Sequence, residues 1–288
     1  MKVDFFIVGV PKSGTTSLYH YLNEHPDIVM SRKKEPNYFS SSQIKKQQLY
    51  YNLKCIDKLQ EYHNLFPINK KKMLYGESSV SYLFYSDVAT KIKKYNSSAK
   101  IIVLLRNPID RAFSHYLMDL RLGLVLDDFE QIINCHKERD VNLHYQQYIT
   151  LGQYMPQLRR YIDLFGMDNI LVVDYENFKN NTKNCVGKIY KFLDVDDNFI
   201  PDFKTIHNRF RKPRNRFFSV LYTSLFLRRI FKVMLPLSLR LKINNLIFTN
   251  HKKPKLDNRI RMQLKSIFEE DIKLLSKELN KDFLKWIR

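Results

Sequence analysis

The stretch that decides the fold is Phe5-Phe6-Ile7-Val8-Gly9-Val10-Pro11-Lys12-Ser13-Gly14-Thr15-Thr16-Ser17-Leu18. It begins with an apolar run typical of a buried strand, passes through a short loop, and ends in a helical pattern. A strand that leads directly into a helix brings backbone N–H groups of the loop and first helical turn towards one anion. The Lys, Ser and Thr side chains add further donors, so the stretch predicts a phosphate-binding site rather than an ordinary turn.

Further apolar runs predict more strands of the same sheet. Ile101–Leu105 and Ile170–Val173 are the clearest, and Asp27–Met30 and Met73–Tyr75 have weaker patterns. Helical patterns lie between them, at Thr15–Glu24, Asp87–Tyr95, Pro108–Leu122, Tyr154–Phe165 and Thr182–Leu193. Strands that alternate with helices predict an α/β protein with right-handed crossovers. We therefore expect a P-loop-like three-layer fold, with a central parallel sheet of about five strands flanked by helices.

The 288 residues are expected to form one domain, 1–288, with its core in 1–205. Residues 206–255 are predicted to form a basic loop and a helical lid, and 256–288 a C-terminal amphipathic helix capped by Asp257. Within the lid, Phe217–Phe248 mixes bulky apolar residues with five cations. A cover for the site and an interfacial helix pair on anionic lipid are both open interpretations of this segment.

The chain is strongly basic, with 49 Lys and Arg against 29 Asp and Glu and a net charge of +20. This balance favours an anionic partner, such as nucleic acid, anionic lipid, or a phosphorylated or sulfated small molecule. We find no nucleic-acid-binding motif and expect no nucleic-acid partner. Cys55, Cys135 and Cys185 have neither disulfide nor metal-site spacing, which indicates a reducing compartment. Without a signal-like or membrane-spanning run, we expect a cytoplasmic protein, with peripheral contact at the inner membrane face left open.

The loop differs from the Walker A loop of nucleoside triphosphatases. Gly14 is followed by Thr15 instead of a lysine, and the lysine lies earlier, at Lys12. The clearest later strand is followed by Arg106, where a nucleoside triphosphate site would need a carboxylate to hold Mg²⁺. The sequence thus offers a cation in place of a metal ligand.

A second anion clamp is predicted at the end of the strand Ile101–Leu105. Arg106 follows the carboxyl end of this strand, where open α/β sheets bind ligands. Ser114 lies about two helical turns further on and can face the same ligand. An arginine with a hydroxyl binds phosphate well. Pairing of Arg106 with Asp110 is an equally open reading of these residues taken alone.

Together these motifs resemble those of the sulfotransferases that use 3′-phosphoadenosine-5′-phosphosulfate (PAPS). Pro11–Thr16 is similar to their 5′-phosphosulfate loop, and Arg106–Ser114 to their 3′-phosphate-binding strand and helix. Lys34-Glu35-Pro36-Asn37-Tyr38-Phe39 resembles the Lys-Glu-Pro-His-Phe-Phe segment of the carbohydrate and heparan-type branch. Asp174–Phe178 fits the middle region of that branch. The resemblance covers 3–207 and indicates a bacterial-type member without a membrane anchor.

The resemblance implies transfer of the sulfuryl group from PAPS to a carbohydrate hydroxyl or amine by in-line displacement, without a metal. It implies that Glu35 is the general base and that Lys12 stabilises the developing charge. Lys34 and Glu77 are expected to contact the acceptor, a carbohydrate or glycolipid. The expected cofactor-binding residues are Lys12, Ser13, Gly14, Thr15, Thr16, Ser17, Arg106, Ser114, Arg211 and Lys212.

Several alternatives remain at this point. Glu77-Ser78 stands where the heparan-type enzymes have a Glu-Lys pair, so the basic loop 209–216 is expected to replace part of the missing charge. His20 and His115 lie on helices near the cofactor motifs and are alternative bases. The other candidate functions are a P-loop kinase-type phosphotransferase and a non-enzymatic polyanion-binding protein.

Overall fold

The computed structural model describes residues 2–51, 53–67, 73–135, 141–204, 212–213, 248–249 and 254–288. Most of the predicted basic loop and lid, 206–255, therefore lies outside the described residues, as does Arg211. For Lys212 only the backbone is described, paired with Thr249 in a short antiparallel ladder. The predicted cofactor contacts of Arg211 and Lys212 and the role of Phe217–Phe248 stay predictions.

A five-stranded parallel sheet forms the centre of the described chain and confirms the predicted fold class. Its strands are Phe5–Gly9 (β1), Ile28–Met30 (β2), Leu74–Ser78 (β3), Lys100–Leu105 (β4) and Ile170–Asp174 (β5). They lie in the order β2-β3-β1-β4-β5, with parallel pairing at each interface. After β1 the chain builds β2 and β3 on one side of β1, and then β4 and β5 on its other side. The direction of strand addition therefore reverses between β1 and β4. Open α/β sheets bind ligands at such a point.

Helices cover both faces of the sheet. They are Thr15–Glu24 (α1), Ser41–Gln47 (α2), Leu59–His63 (α3), Val88–Tyr95 (α4), Pro108–Leu122 (α5), Phe129–Ile133 (α6), Leu143–Tyr148 (α7), Tyr154–Phe165 (α8), Tyr175–Asn180 (α9), Thr182–Leu193 (α10) and Asn258–Leu279 (α11). Short 3₁₀ turns lie at Thr150–Gly152, Met167–Asn169 and Leu284–Trp286. None of the described helices is both long and apolar enough to cross a lipid bilayer.

The two helical layers follow from the alternation of side chains along the strands. Phe6 and Val8 of β1 pack in the same buried cluster as residues of α4, α5, α8 and α11. Phe5 and Ile7 face the opposite layer, where they pack with residues of α1 and α10. All five residues of β1 are buried, as expected for a central strand covered on both sides.

The C-terminal helix α11 packs against α8 and begins at the predicted cap. Asp257 accepts a hydrogen bond from the Arg259 backbone N–H at 2.8 Å. Further along, Asp271 accepts from the N–H groups of Tyr154 (2.7 Å) and Met155 (2.9 Å), which caps the start of α8. The helix ends at Leu279 because Asn280 adopts a left-handed conformation with φ 47°. The observed helix is shorter than the predicted span 256–288, and a 3₁₀ turn at Leu284–Trp286 follows it.

Candidate active site

The loop between β1 and α1 forms the centre of the site. Lys12 and Gly14 both have positive φ, at 72° and 85°, and Gly14 precedes the first residue of α1. A Cβ at Gly14 would lie 3.2 Å from the Tyr175 ring and 3.3 Å from the Phe178 ring, so a glycine is required by both conformation and space. The first turn of α1 carries no acidic residue. The partial positive charge of the helix start is therefore available to an anion.

Arg106 connects the end of β4 to this loop. Its Nη1 donates to the Lys12 carbonyl at 2.8 Å, and its guanidinium lies over the Tyr175 ring at 4.7 Å from the ring centre. The Tyr154 hydroxyl donates to the Arg106 carbonyl at 2.7 Å and holds its backbone. Among the described residues, Nε of Arg106 is buried without a hydrogen-bond partner. Asp110 pairs instead with Arg261 at 2.8 Å, so the alternative reading that paired Arg106 with Asp110 is not the arrangement seen in the described residues.

One cavity of about 940 Å³ brings most of the predicted residues together. The predicted residues in its wall are Lys12, Gly14, Thr15, Thr16, Ser17, Lys34, Glu35, Arg106 and Ser114. Ser13 differs, because its side chain is fully buried and its hydroxyl donates to the Val10 carbonyl. The Ser13 hydroxyl therefore stabilises the loop from within and does not face the cavity.

Glu35 lies on the segment that follows β2, at the cavity wall. Its carboxylate is 3.0 Å from the Lys34 ammonium, and its side chain is 30% exposed against 14% for Lys34. Asn37 holds this segment, since its side-chain Nδ2 donates to the Glu35 carbonyl (3.3 Å) and its Oδ1 accepts from Ser81 (2.7 Å). The backbone N–H of Asn37 also donates to the Ser79 hydroxyl at 3.0 Å. The loop after β3 therefore fixes the carboxylate-bearing segment.

Glu77 occupies a different place from the one predicted. Its side chain is fully buried in β3 and lies beneath the Glu35 segment instead of in the cavity wall. The hydroxyls of Tyr62 and Tyr82 donate to Oε2 at 2.9 Å each, and Ser79 donates to Oε1 at 2.5 Å. Burial raises the pKa of Glu77 to about 7, and these hydrogen bonds only partly oppose that rise. Because both oxygens are engaged in the interior, Glu77 supports the site and does not contact an acceptor.

The two alternative histidine bases lie in contrasting places. Of these two, His115 alone belongs to the described cavity wall; His20 does not. His115 is buried, with Nε2 at 2.8 Å from the Tyr51 hydroxyl and Nδ1 at 3.3 Å from Nη1 of Arg111. Burial, followed by the charge of Arg111, lowers the pKa of His115 well below its ordinary value. This histidine is neutral and has both ring nitrogens engaged.

Several aromatic residues that line the cavity were not predicted as site residues, and three of them lie beside predicted ones. Tyr175 and Phe178, at the carboxyl end of β5, line the cavity beside Gly14, and Tyr51 lines it beside His115. The position of Tyr175 directly after a strand was a usable signal, because strand ends meet at the ligand-binding edge. Across the described ranges we find no group of three or more His, Cys, Asp or Glu side chains placed to hold a metal ion.

Comparison with known proteins places this geometry in a family. A family model of the sulfotransferase domain matches residues 2–276. Mouse carbohydrate sulfotransferase 15 is 24% identical over an alignment of 243 residues, which covers 66% of this chain and 43% of the mouse protein. The bifunctional heparan sulfate N-deacetylase/N-sulfotransferase 1 of Xenopus laevis is 30% identical over 197 residues, covering 66% of this chain and 22% of the frog protein. The chain thus spans less than half the length of these curated relatives.

Solved structures of sulfotransferases are also similar to this chain, one of them over its full length. The sulfotransferase from Alicyclobacillus acidocaldarius superposes with a TM-score of 0.75 at 28% identity, covering 100% of both chains. The sulfotransferase domain from the curacin biosynthetic pathway has a TM-score of 0.50 at 15% identity, with 94% and 97% coverage, and shares the fold. Because the family match spans nearly the whole chain and agrees with the loop, the sheet and the cavity, the chain belongs to the sulfotransferase domain family.

Proposed function

We propose that this protein is a PAPS-dependent sulfotransferase that transfers a sulfuryl group to a hydroxyl or amine of a carbohydrate. The observation that carries the proposal is the convergence of the Lys12–Ser17 loop, Arg106 and Glu35 on one cavity. An anion cradle, a second cation and a partly exposed carboxylate are the groups that such a transfer requires.

The described residues fit the two anionic ends of PAPS. The loop and the start of α1 offer backbone N–H groups and the hydroxyls of Thr15, Thr16 and Ser17 to the 5′-phosphosulfate. Arg106 and Ser114, which both line the cavity, would hold the 3′-phosphate. When bound, PAPS supplies an activated sulfuryl group. The donor set consists of N–H groups, hydroxyls and cations, so we expect no metal requirement.

Two side chains are assigned to the chemistry. Glu35 would accept the proton of the acceptor group, for which its partly exposed position in the cavity wall is suited. Lys12 would stabilise negative charge at the phosphosulfate end of the cavity, where its ammonium is held beside Met118. Lys34, paired with Glu35 at 3.0 Å, would orient that carboxylate.

The carbohydrate acceptor is inferred from the relatives. The two curated relatives named above are a carbohydrate sulfotransferase and a heparan sulfate N-sulfotransferase. The Glu35 segment has the pattern of that branch, and it lies in the cavity. We further propose weak peripheral contact with anionic membrane on the basis of the +20 net charge, and a cytoplasmic location on the basis of the three cysteines without disulfide spacing.

Binding of the product nucleotide separates this proposal from a kinase-type phosphotransferase. Adenosine 3′,5′-bisphosphate should raise the melting temperature, with a stabilisation of about 2.7 kcal/mol at a hundredfold excess over Kd. EDTA should not abolish the effect, and ATP with Mg²⁺ should not reproduce it. A strict need for Mg²⁺, or no response to millimolar bisphosphate, would refute the proposal.

A further inference from the structure

One part of the cavity wall is apolar and is assembled from separate segments of the chain. Its residues are Leu49 and Leu53 after α2, Val80 and Phe84 after β3, Met118 in α5, and Leu151 after α7. Removing such an apolar surface from water is favourable, so the wall favours binding of an apolar ligand group that covers it.

The apolar wall adjoins both groups assigned to the chemistry. The Sδ atom of Met118 lies 3.5 Å from the Lys12 ammonium nitrogen, at the phosphosulfate end. On the other side, Ser81 follows Val80 in the same loop, and its hydroxyl donates to Asn37 at 2.7 Å. Asn37 in turn holds the Glu35 segment. A ligand whose reacting group lies between Lys12 and Glu35 would therefore have its neighbouring atoms against this wall.

Hydrogen bonds hold the wall in place. The segment with Leu49 and Leu53 is fixed by the hydroxyls of Tyr50 and Tyr51, which donate to Asp119 at 2.8 and 2.6 Å. Asp119 is fully buried in α5. On the loop after β3, Nη2 of Arg160 donates to the carbonyls of Leu83 and Phe84 at 2.9 Å each. Because these segments are fixed, the wall does not need to be ordered by the ligand.

The cavity that contains this wall also carries charged side chains. Among the described residues these are Lys12, Lys34, Glu35, Arg106, Arg121 and Lys179, and the Lys12 ammonium nitrogen lies 3.5 Å from Met118 of the wall. The Lys34 ammonium is already paired with Glu35 at 3.0 Å. His115, which also lines the cavity, lies against the Tyr51 hydroxyl and Arg111.

We infer that the acceptor is amphiphilic: a sugar whose reacting group is linked closely to an alkyl or similar apolar aglycone that covers this wall. The inference rests on the proposed function and narrows its acceptor class. In this arrangement the sugar hydroxyl or amine lies between Lys12 and Glu35, and the aglycone lies against Leu53, Phe84 and Met118.

Two glycosides with one sugar and different aglycones provide the test. Octyl β-D-glucoside, kept below its micelle concentration, and methyl β-D-glucoside are titrated calorimetrically with and without adenosine 3′,5′-bisphosphate. The octyl compound should bind at least tenfold more tightly than the methyl compound. Leu53→Asp should remove this preference, because it places a charge in the wall at a side chain that is already 39% exposed and tolerates the change. Leu126→Asp, at a 93% exposed leucine outside the cavity wall, is the matched control and should retain the preference.

The outcomes separate this inference from the proposed function. Equal affinities for the two glycosides, or a preference that survives Leu53→Asp, would overturn the amphiphilic acceptor and leave sulfuryl transfer untouched. Failure of the bisphosphate to bind would overturn the proposed function, while the titrations without nucleotide would still decide whether the wall binds an alkyl group.

Discussion

Glu77→Gln should change how the stability of the protein depends on pH. Burial raises the pKa of Glu77 to about 7 from its ordinary 4.5. At about 1.4 kcal/mol per pH unit, this difference amounts to about 3.4 kcal/mol. Because the folded pKa is raised, the stabilisation is complete below pH 4.5 and is lost as the pH rises through 7. Glutamine does not titrate, so the variant lacks this dependence.

Urea unfolding of the wild type and Glu77→Gln between pH 5 and 8 measures the effect. The wild-type free energy of unfolding should fall by about 2.5 kcal/mol more than that of the variant over this range. Taking the difference between the two proteins cancels other titrating groups, such as Asp271, whose pKa burial raises to about 6. Glu61→Gln, at an exposed carboxylate on α3, is the control and should follow the wild type. Parallel curves for the wild type and Glu77→Gln would refute the assignment of Glu77 as a buried titrating support.

The remaining predictions concern the cofactor and the membrane. Lys12→Ala should lower the transfer rate constant about 10²–10³-fold with little change in bisphosphate affinity, because its charge is needed most during transfer. Arg106→Ala should instead weaken bisphosphate binding about 10–100-fold, the cost of one charge-assisted contact. The control Lys273→Ala, at an exposed lysine on α11, should change neither the transfer rate constant nor the bisphosphate affinity. The reverse pattern for Lys12 and Arg106 would mean that the two phosphate ends of the cofactor are misassigned. The protein should co-sediment with anionic liposomes at low salt and be released at high salt, since exposed charges are screened; if it stays in the supernatant at low salt, the peripheral-membrane proposal is wrong.

The parts of the fold that sequence reasoning found are those with repeated local signals. The apolar runs of β1, β4 and β5 and the periodic patterns of α1, α5 and α8 each extend over several residues. By contrast, α2, α3, α6, α7 and α9 have five to seven residues each and were not predicted. A helix of one or two turns presents too few positions for a periodic pattern to be recognised.

The sequence predicted the site residues whose backbone position is determined by a local motif. It did not predict the roles that depend on the direction in which a side chain points. The loop at Gly14 and the position of Arg106 after β4 follow from local sequence. Glu77 and Ser13 both lie in recognisable segments, yet their side chains point into the interior, which depends on distant partners such as Tyr62. The contact between Tyr51 and Asp119 joins residues 68 positions apart, and no local pattern reports it.

The central claim is that Glu35 serves as the base for sulfuryl transfer from PAPS. The most direct test measures transfer of ³⁵S from labelled PAPS to a panel of small glycans and glycosides, with wild type, Glu35→Gln and Glu61→Gln compared in the presence of EDTA. We predict labelled product with the wild type and the Glu61→Gln control, a loss of about 10²–10⁴-fold in rate for Glu35→Gln, and unchanged bisphosphate affinity in all three proteins. Near-wild-type turnover by Glu35→Gln, or no labelled product from the wild type on any acceptor, would contradict the claim.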